Sequence, residues 1–204
     1  MSSFLFTMFS KLGAMKNISL EKVKVAKNWF RDQAKRLTKV NANEFMKSNP
    51  EAIQKNTHFD AQSVGKMYMF YYDPKTKKDL PYYDRYPLVF PIKLVKGGFL
   101  GLNMHYLPPM LRAKLMDALY LLDNKAVGDK RKLKMTYDIL QSASKFKYFK
   151  PCLKMYLYSH VRSKFVNVPQ EEWDMVLMLP LERFEKASKQ HVWKESAEKV
   201  GAKY

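Results

Sequence analysis

Apolar positions recur at two different periods along this chain, and the places where the period changes divide it into parts. After Ser19, residues Val23, Val25, Ala26, Trp29, Phe30, Ala34 and Leu37 return mainly at three- and four-residue steps. That spacing predicts an amphipathic helix, with the serine accepting from the first-turn amides. From Asn41 to Gln62 the chain is polar, and Pro50 and several Asn break the pattern, so a broken helix and a linker are expected. Between Gly65 and Pro108 the period shortens and β-formers dominate. Three strands are predicted, over 67–72, 86–92 and 98–106, with Gly97-Gly98 closing a hairpin between the last two. Pro108-Pro109 then opens a helix whose stripe is Met110, Leu111, Leu115, Ala118, Leu119 and Leu122.

A second helix is expected from about Asp129 to Ser144 on the stripe Leu133, Tyr137, Leu140 and Ala143. Between Pro151 and Phe165, residues Leu153, Tyr156, Leu157, Val161 and Phe165 suit a helix, and Val166 to Val168 turn extended. Trp173 to Leu179 reads as a fourth strand or a buried turn. The segment from Leu181 to Val200 is helical and charged, and its sparse apolar residues Phe184, Ala187, Val192 and Trp193 predict loose attachment. The fold class expected is α+β: a small SH3-like antiparallel sheet or barrel packed with several α-helices, plus a basic N-terminal helical arm. The corresponding division is 1–62 for the arm and linker, 63–180 for the core domain and 181–204 for a helical tail.

Charge changes this picture. The 204 residues hold 37 Lys and Arg against 19 Asp and Glu, a formal charge of +18. A folded domain with that excess repels itself, and an anionic partner relieves the repulsion. The predicted first helix carries Lys22, Lys24, Lys27, Arg31, Lys35, Arg36 and Lys39 against only Glu21 and Asp32. A second basic stretch holds Lys125, Lys130, Arg131, Lys132, Lys134, Lys145, Lys147, Lys150, Lys154, Arg162 and Lys164, with Asp129 and Asp138 as its acids. The candidate DNA-binding residues are therefore Lys130, Arg131, Lys132, Lys134, Lys145, Lys147, Lys150, Lys154, Arg162 and Lys164, joined by Lys27, Arg31, Lys35 and Arg36. Tyr148, Phe149, Tyr156, Tyr158 and His160 are interleaved with the second group, placed either to stack on exposed bases or to form core.

Competing chemistry is thin. Cys152 is the single cysteine, so no intrachain disulfide or thiolate metal site can form, and a reducing compartment fits. His58, His105, His160 and His191 lack ligand spacing, and no cofactor is expected. Asp73, Asp79 and Asp84 suggest a metal-dependent nuclease if they converge near His105, but the same residues form turns and ion pairs. No phosphate loop or nucleophile elbow is present, and no catalytic residue is assigned. Met1 to Ser10 is apolar, but no positive residue precedes it and it is too short to span a bilayer. With Lys11 and Lys16 following, it fits an anchor, in a partner's groove rather than on a membrane.

The runs Met67-Tyr-Met-Phe-Tyr-Tyr-Asp-Pro-Lys75, Leu80-Pro-Tyr-Tyr-Asp-Arg-Tyr-Pro-Leu-Val-Phe-Pro91 and Gly98-Phe-Leu-Gly-Leu-Asn-Met-His-Tyr-Leu-Pro-Pro109 resemble a virion protein of T4-like tailed bacteriophages. So do Ser159-His-Val-Arg-Ser-Lys-Phe165, Glu172-Trp-Asp174 and Leu179-Pro180. The resemblance is to the DNA end protector family. It implies a non-enzymatic protein at the end of packaged double-stranded DNA near the portal and neck, in the virion and, during assembly, the host cytoplasm. The alternative expectation is a structural connector of neck, tail or baseplate whose basic surface meets acidic subunits, because complementary charge between proteins yields the same composition.

Overall fold

A computed structural model describes residues 41–48, 58–123 and 149–202 of the chain. The helices expected over residues 19–39 and 129–144 lie outside the described residues. In chain order the principal elements are α1 (Ala42–Ser48), β1 (Met67–Met69), β2 (Tyr83–Asp84), β3 (Leu88–Val95), β4 (Gly98–Asn103) and α2 (Pro109–Asp123). They continue with β5 (Leu153–Leu157), β6 (Val166–Val168), α3 (Trp173–Val176), β7 (Phe184–Glu185) and α4 (Lys189–Val200). This is an α+β protein, as expected.

The main sheet is antiparallel and ordered β5-β4-β3-β1-β6, and β2 pairs with β7 in a separate two-stranded ribbon. Alternation along the strands sends residues to two different cores. Tyr68, Phe70, Tyr72, Val89, Phe99, Tyr156 and Phe165 gather on one face, closed over by Phe59. Met67, Met69, Leu88, Phe90, Ile92, Leu102 and Val168 gather on the other, beneath Trp173, Val176, Val192 and Ala197 of α3 and α4. Both faces are thus covered, which explains why β1 is apolar throughout instead of alternating with polar residues. Aromatic edges lock the first core: Phe70 meets Tyr156 at 5.3 Å and Phe165 at 5.0 Å, both near perpendicular.

The β3–β4 turn is formed by Lys96 and Gly97, with Val95 opposite Gly98. Gly97 has φ +77°, a left-handed conformation that favours glycine at the second central position of such a turn. Gly98 therefore belongs to β4, where a Cβ would lie 2.1 Å from the Tyr156 carbonyl oxygen, so β4 and β5 can pair closely only because it is glycine. Pro91 lacks an amide to donate, and the register slips between Pro91 and Lys93.

Two expectations are corrected. Residues 153–157 form a strand, not a helix: β5 pairs with β4 along its whole length, and the 3-10 turn Tyr158–His160 leads on toward β6. The C-terminal helix is not loosely held. Ser188 accepts from the His191 amide, Gly201 ends the helix at φ +68°, and Val192, Trp193, Ser196, Ala197 and Val200 are buried at helical spacing. Trp173 to Val176 is a short buried helix, and the proline-led helix α2 buries Leu111 and Leu115 as predicted, with Met116 beside them, whereas Met110 of the predicted stripe is exposed. The side chains of Ala118, Leu119 and Leu122 lie outside the described residues.

Candidate nucleic-acid interface

The β2–β7 ribbon is only two residues long on each strand and could not persist alone. What fixes it is Asp84, whose carboxylate is buried. Oδ1 accepts from the amides of Tyr86 and Arg183, each at 3.1 Å. Oδ2 accepts from Asn103 Nδ2 at 3.2 Å and faces His105 Nδ1 at 2.8 Å. A carboxylate has no proton to give here, so His105 carries its proton on Nδ1. Asn103 also donates to the Tyr156 hydroxyl at 3.1 Å, and its Oδ1 accepts from the His105 amide. The His105 carbonyl in turn accepts from Trp193 Nε1, joining the network to α4.

A second buried polar set lies beside it. Arg112, with no exposed surface, donates from Nε to the Leu107 carbonyl, from NH1 to the Leu177 carbonyl and from NH2 to Glu182. Burial pushes the Glu182 carboxyl up, but the Arg112 guanidinium outweighs it and holds the group down at about 2. Both sets hold elements in place, and neither opens to a reacting group.

The three aspartates that suggested a nuclease do not converge. Asp84 is consumed by its four donors, and Asp73 pairs with Lys77 at 2.9 Å. Asp79 is exposed, and among the described residues no three His, Cys, Asp or Glu come together to hold a metal ion.

Of the cations nominated from the sequence, Lys150, Arg162 and Lys164 are exposed on the described surface. Lys154 is not like them. It is half-buried, with Nζ 4.0 Å from the centre of the Tyr106 ring, and desolvation pushes its pKa down to about 8. Lys27, Arg31, Lys35, Arg36, Lys130, Arg131, Lys132, Lys134, Lys145 and Lys147 lie outside the described residues. Among the interleaved aromatics, Phe149 and Tyr156 are core residues, and Tyr158 is half-buried with its hydroxyl accepting from the Phe59 amide. Stacking on bases is therefore not open to Phe149 or Tyr156.

Lys154 carries a prediction. A lysine with a lowered folded-state pKa penalises folding fully below that pKa, and the penalty is relieved as pH rises from about 8 towards the unfolded value. Lys154→Met is expected to stabilise the protein at pH 7 by about 1–2 kcal/mol, part of the gain being offset because the cation–π interaction with Tyr106 goes too. The advantage should shrink between pH 8 and pH 10 in paired urea melts. An advantage that is constant with pH would contradict the burial argument.

The positive charge is not spread evenly. Residues 1–40 hold nine Lys and Arg against two acids, and residues 124–148 hold seven against two, whereas residues 149–202 hold nine against seven. The excess is thus concentrated in the chain before α1 and in the chain between α2 and β5. A family model described as phage T4 terminal DNA protecting protein matches residues 11–204. The chain belongs to this family. Comparison with curated proteins and with solved structures returns no match. As a member of this family it is a phage protein that protects terminal DNA. No described helix is long and apolar enough to cross a membrane.

Proposed function

We propose that the protein caps the ends of packaged double-stranded phage DNA without catalysis, by sequence-independent contact with backbone phosphates. The observation that carries this reading is the concentration of cations in residues 22–39 and 125–147, extended by Lys150, Arg162 and Lys164 on the core surface. A duplex end differs from the interior in its exposed terminal base pair and in tolerating wrapping from both strands, and two basic segments attached to one folded core suit that geometry. The polar groups of the core support the non-enzymatic reading, since Asp84, His105, Arg112 and Glu182 are spent on holding elements together.

The finer architecture belongs to the same proposal: a small SH3-like barrel carrying a basic arm over residues 1–62, with 63–180 as core and 181–204 as a C-terminal segment. Its support is the strand order β5-β4-β3-β1-β6, the 3-10 turn between β5 and β6, and the bridge between Tyr72 and Val161. The same proposal puts the protein in the virion near the portal or neck, reached from the host cytoplasm during assembly; its support is membership of a phage family that protects terminal DNA.

The test is exonuclease digestion of linear duplex with and without the protein at several salt concentrations, alongside binding to closed circular DNA of the same sequence. Protection of linear ends that weakens with salt, at concentrations leaving circular DNA unbound, is the expected result. Equal binding to both forms would reduce the protein to a general DNA binder and sink end capping.

A further inference from the structure

The loop Pro74 to Pro81 has no part in the reading above, and it is held unusually well for an exposed segment. At its start the Asp73 amide donates to the His160 carbonyl at 3.1 Å, and His160 Nδ1 lies 2.9 Å from the Asp73 carbonyl, to which it must donate. At its end the Lys186 ammonium donates to the carbonyls of Lys78 at 2.7 Å and Leu80 at 2.9 Å. Within it, Asp79 and Leu80 both donate to the Thr76 carbonyl. Lys186 itself has φ +68°, the one non-glycine positive φ among the described residues. Such a conformation is unfavourable for a lysine and persists only where the surroundings impose it.

What this frame presents is charge. Lys75, Lys77 and Lys78 are exposed, and so is Arg162, whose amide donates to the Tyr71 carbonyl at 2.8 Å, two residues before Asp73. Lys77 is committed to Asp73, whereas Lys75, Lys78 and Arg162 form no ion pair among the described residues. The loop also carries the exposed Asp79 beside Lys78; on α4, the other lysine-rich surface, Lys199 pairs with Glu195, and Glu195 and Glu198 intersperse the cations. Holding a cationic loop rigid lowers the entropy cost when its side chains meet an anion.

We infer that the loop Pro74 to Pro81, with Arg162 beside it, is a preorganised contact site for DNA backbone phosphates on the folded core, with Lys75 and Lys78 as the contacting residues and Lys186 as a positioning residue. The inference rests on the DNA-end reading and adds to it a site in neither basic segment. Removing one cation from a duplex phosphate lowers the slope of log affinity against log salt by about 0.9 and weakens binding at 0.15 M salt roughly fivefold. The double variant Lys75→Gln and Lys78→Gln should therefore bind linear duplex roughly 30-fold more weakly at that salt, with the slope reduced by about 1.8.

Lys194→Gln with Lys199→Gln removes the same charge from the exposed face of α4, and it should change binding little. Lys186→Met should reduce the slope too, although Lys75 and Lys78 remain. An unchanged slope in the loop variant, with the wild type still protecting ends, overturns the site and leaves the end-capping reading standing. Equal weakening by the loop and α4 variants overturns it as a local site, leaving only net charge. A loop variant that binds DNA normally but no longer binds an acidic phage subunit overturns it in favour of protein docking, and a wild type that ignores DNA overturns both readings.

Discussion

Replacing Asp84 with alanine is expected to lower stability by about 3–5 kcal/mol and the melting temperature by about 10–15 °C. Four donors converge on that carboxylate, and two of them, His105 Nδ1 and Asn103 Nδ2, sit on residues with no exposed surface. Alanine leaves them facing a void, at about 1–3 kcal/mol for each buried donor without a partner. The Tyr86 and Arg183 amides are nearer water and add less. Because those amides flank the ribbon, β2 and β7 should lose amide-exchange protection before the main sheet does. Asp84→Asn keeps one oxygen and the shape, so it should cost about half as much.

The same variant separates two chemistries. If Asp84 were a nuclease ligand, alanine would abolish metal-dependent cleavage and leave the fold intact, as loss of an exposed carboxylate does. The geometry predicts the opposite pairing: a large loss of stability and no cleavage activity to lose. A melting temperature within 2 °C of wild type, a bound set for about 1 kcal/mol in a protein of this size, would refute the structural role.

Asp84 also marks how far the sequence could be read. Strands β1, β3 and β4 were legible because each is bounded by Gly or Pro and carries its own apolar run. Helix α2 was legible because proline opens it. Strand β5 was not, since Leu153, Tyr156, Leu157, Val161 and Phe165 fit a helical stripe as well as a strand, and what decides the matter is pairing with β4 across a gap of fifty residues in sequence. The β2–β7 ribbon left no periodic trace at two residues a strand, so Asp84 looked like a loop carboxylate. Arg112 gave one signal that could have been used, a cation one step after Leu111 within an apolar stripe. Its partner Glu182 is seventy residues away, and no local pattern links them. The C-terminal helix was underrated because its apolar residues are few, although Trp193 and Val200 are bulky and fall on one face.

The candidate site was legible in a different way. Charge can be counted without knowing the fold, so the two basic segments stood out at once. Exposure cannot be counted, and that is why Lys154 was grouped with Lys150 although it rests on Tyr106. The rigidity of the Pro74 to Pro81 loop was invisible too, being imposed by His160 and Lys186 from distant parts of the chain.

Neutralising four cations in the second basic segment, Lys130, Arg131, Lys132 and Lys134 to Gln, should have the largest effect on DNA binding. If all four lie on phosphates, the salt slope falls by about 3.6 and affinity for linear duplex at 0.15 M salt drops roughly a thousandfold. The matched variant of Lys27, Arg31, Lys35 and Arg36 removes equal charge from the first segment. Similar losses from the two would mean that both segments grip the duplex. A loss confined to the 130–134 variant would assign the N-terminal segment to a partner other than the duplex. Exonuclease protection distinguishes affinity from capping: if capping needs both segments, either variant should expose ends even at protein concentrations high enough to restore binding. A variant that regains full protection once saturated would show that occupancy alone shields the end, and that the second segment contributes attraction without enclosing the terminus.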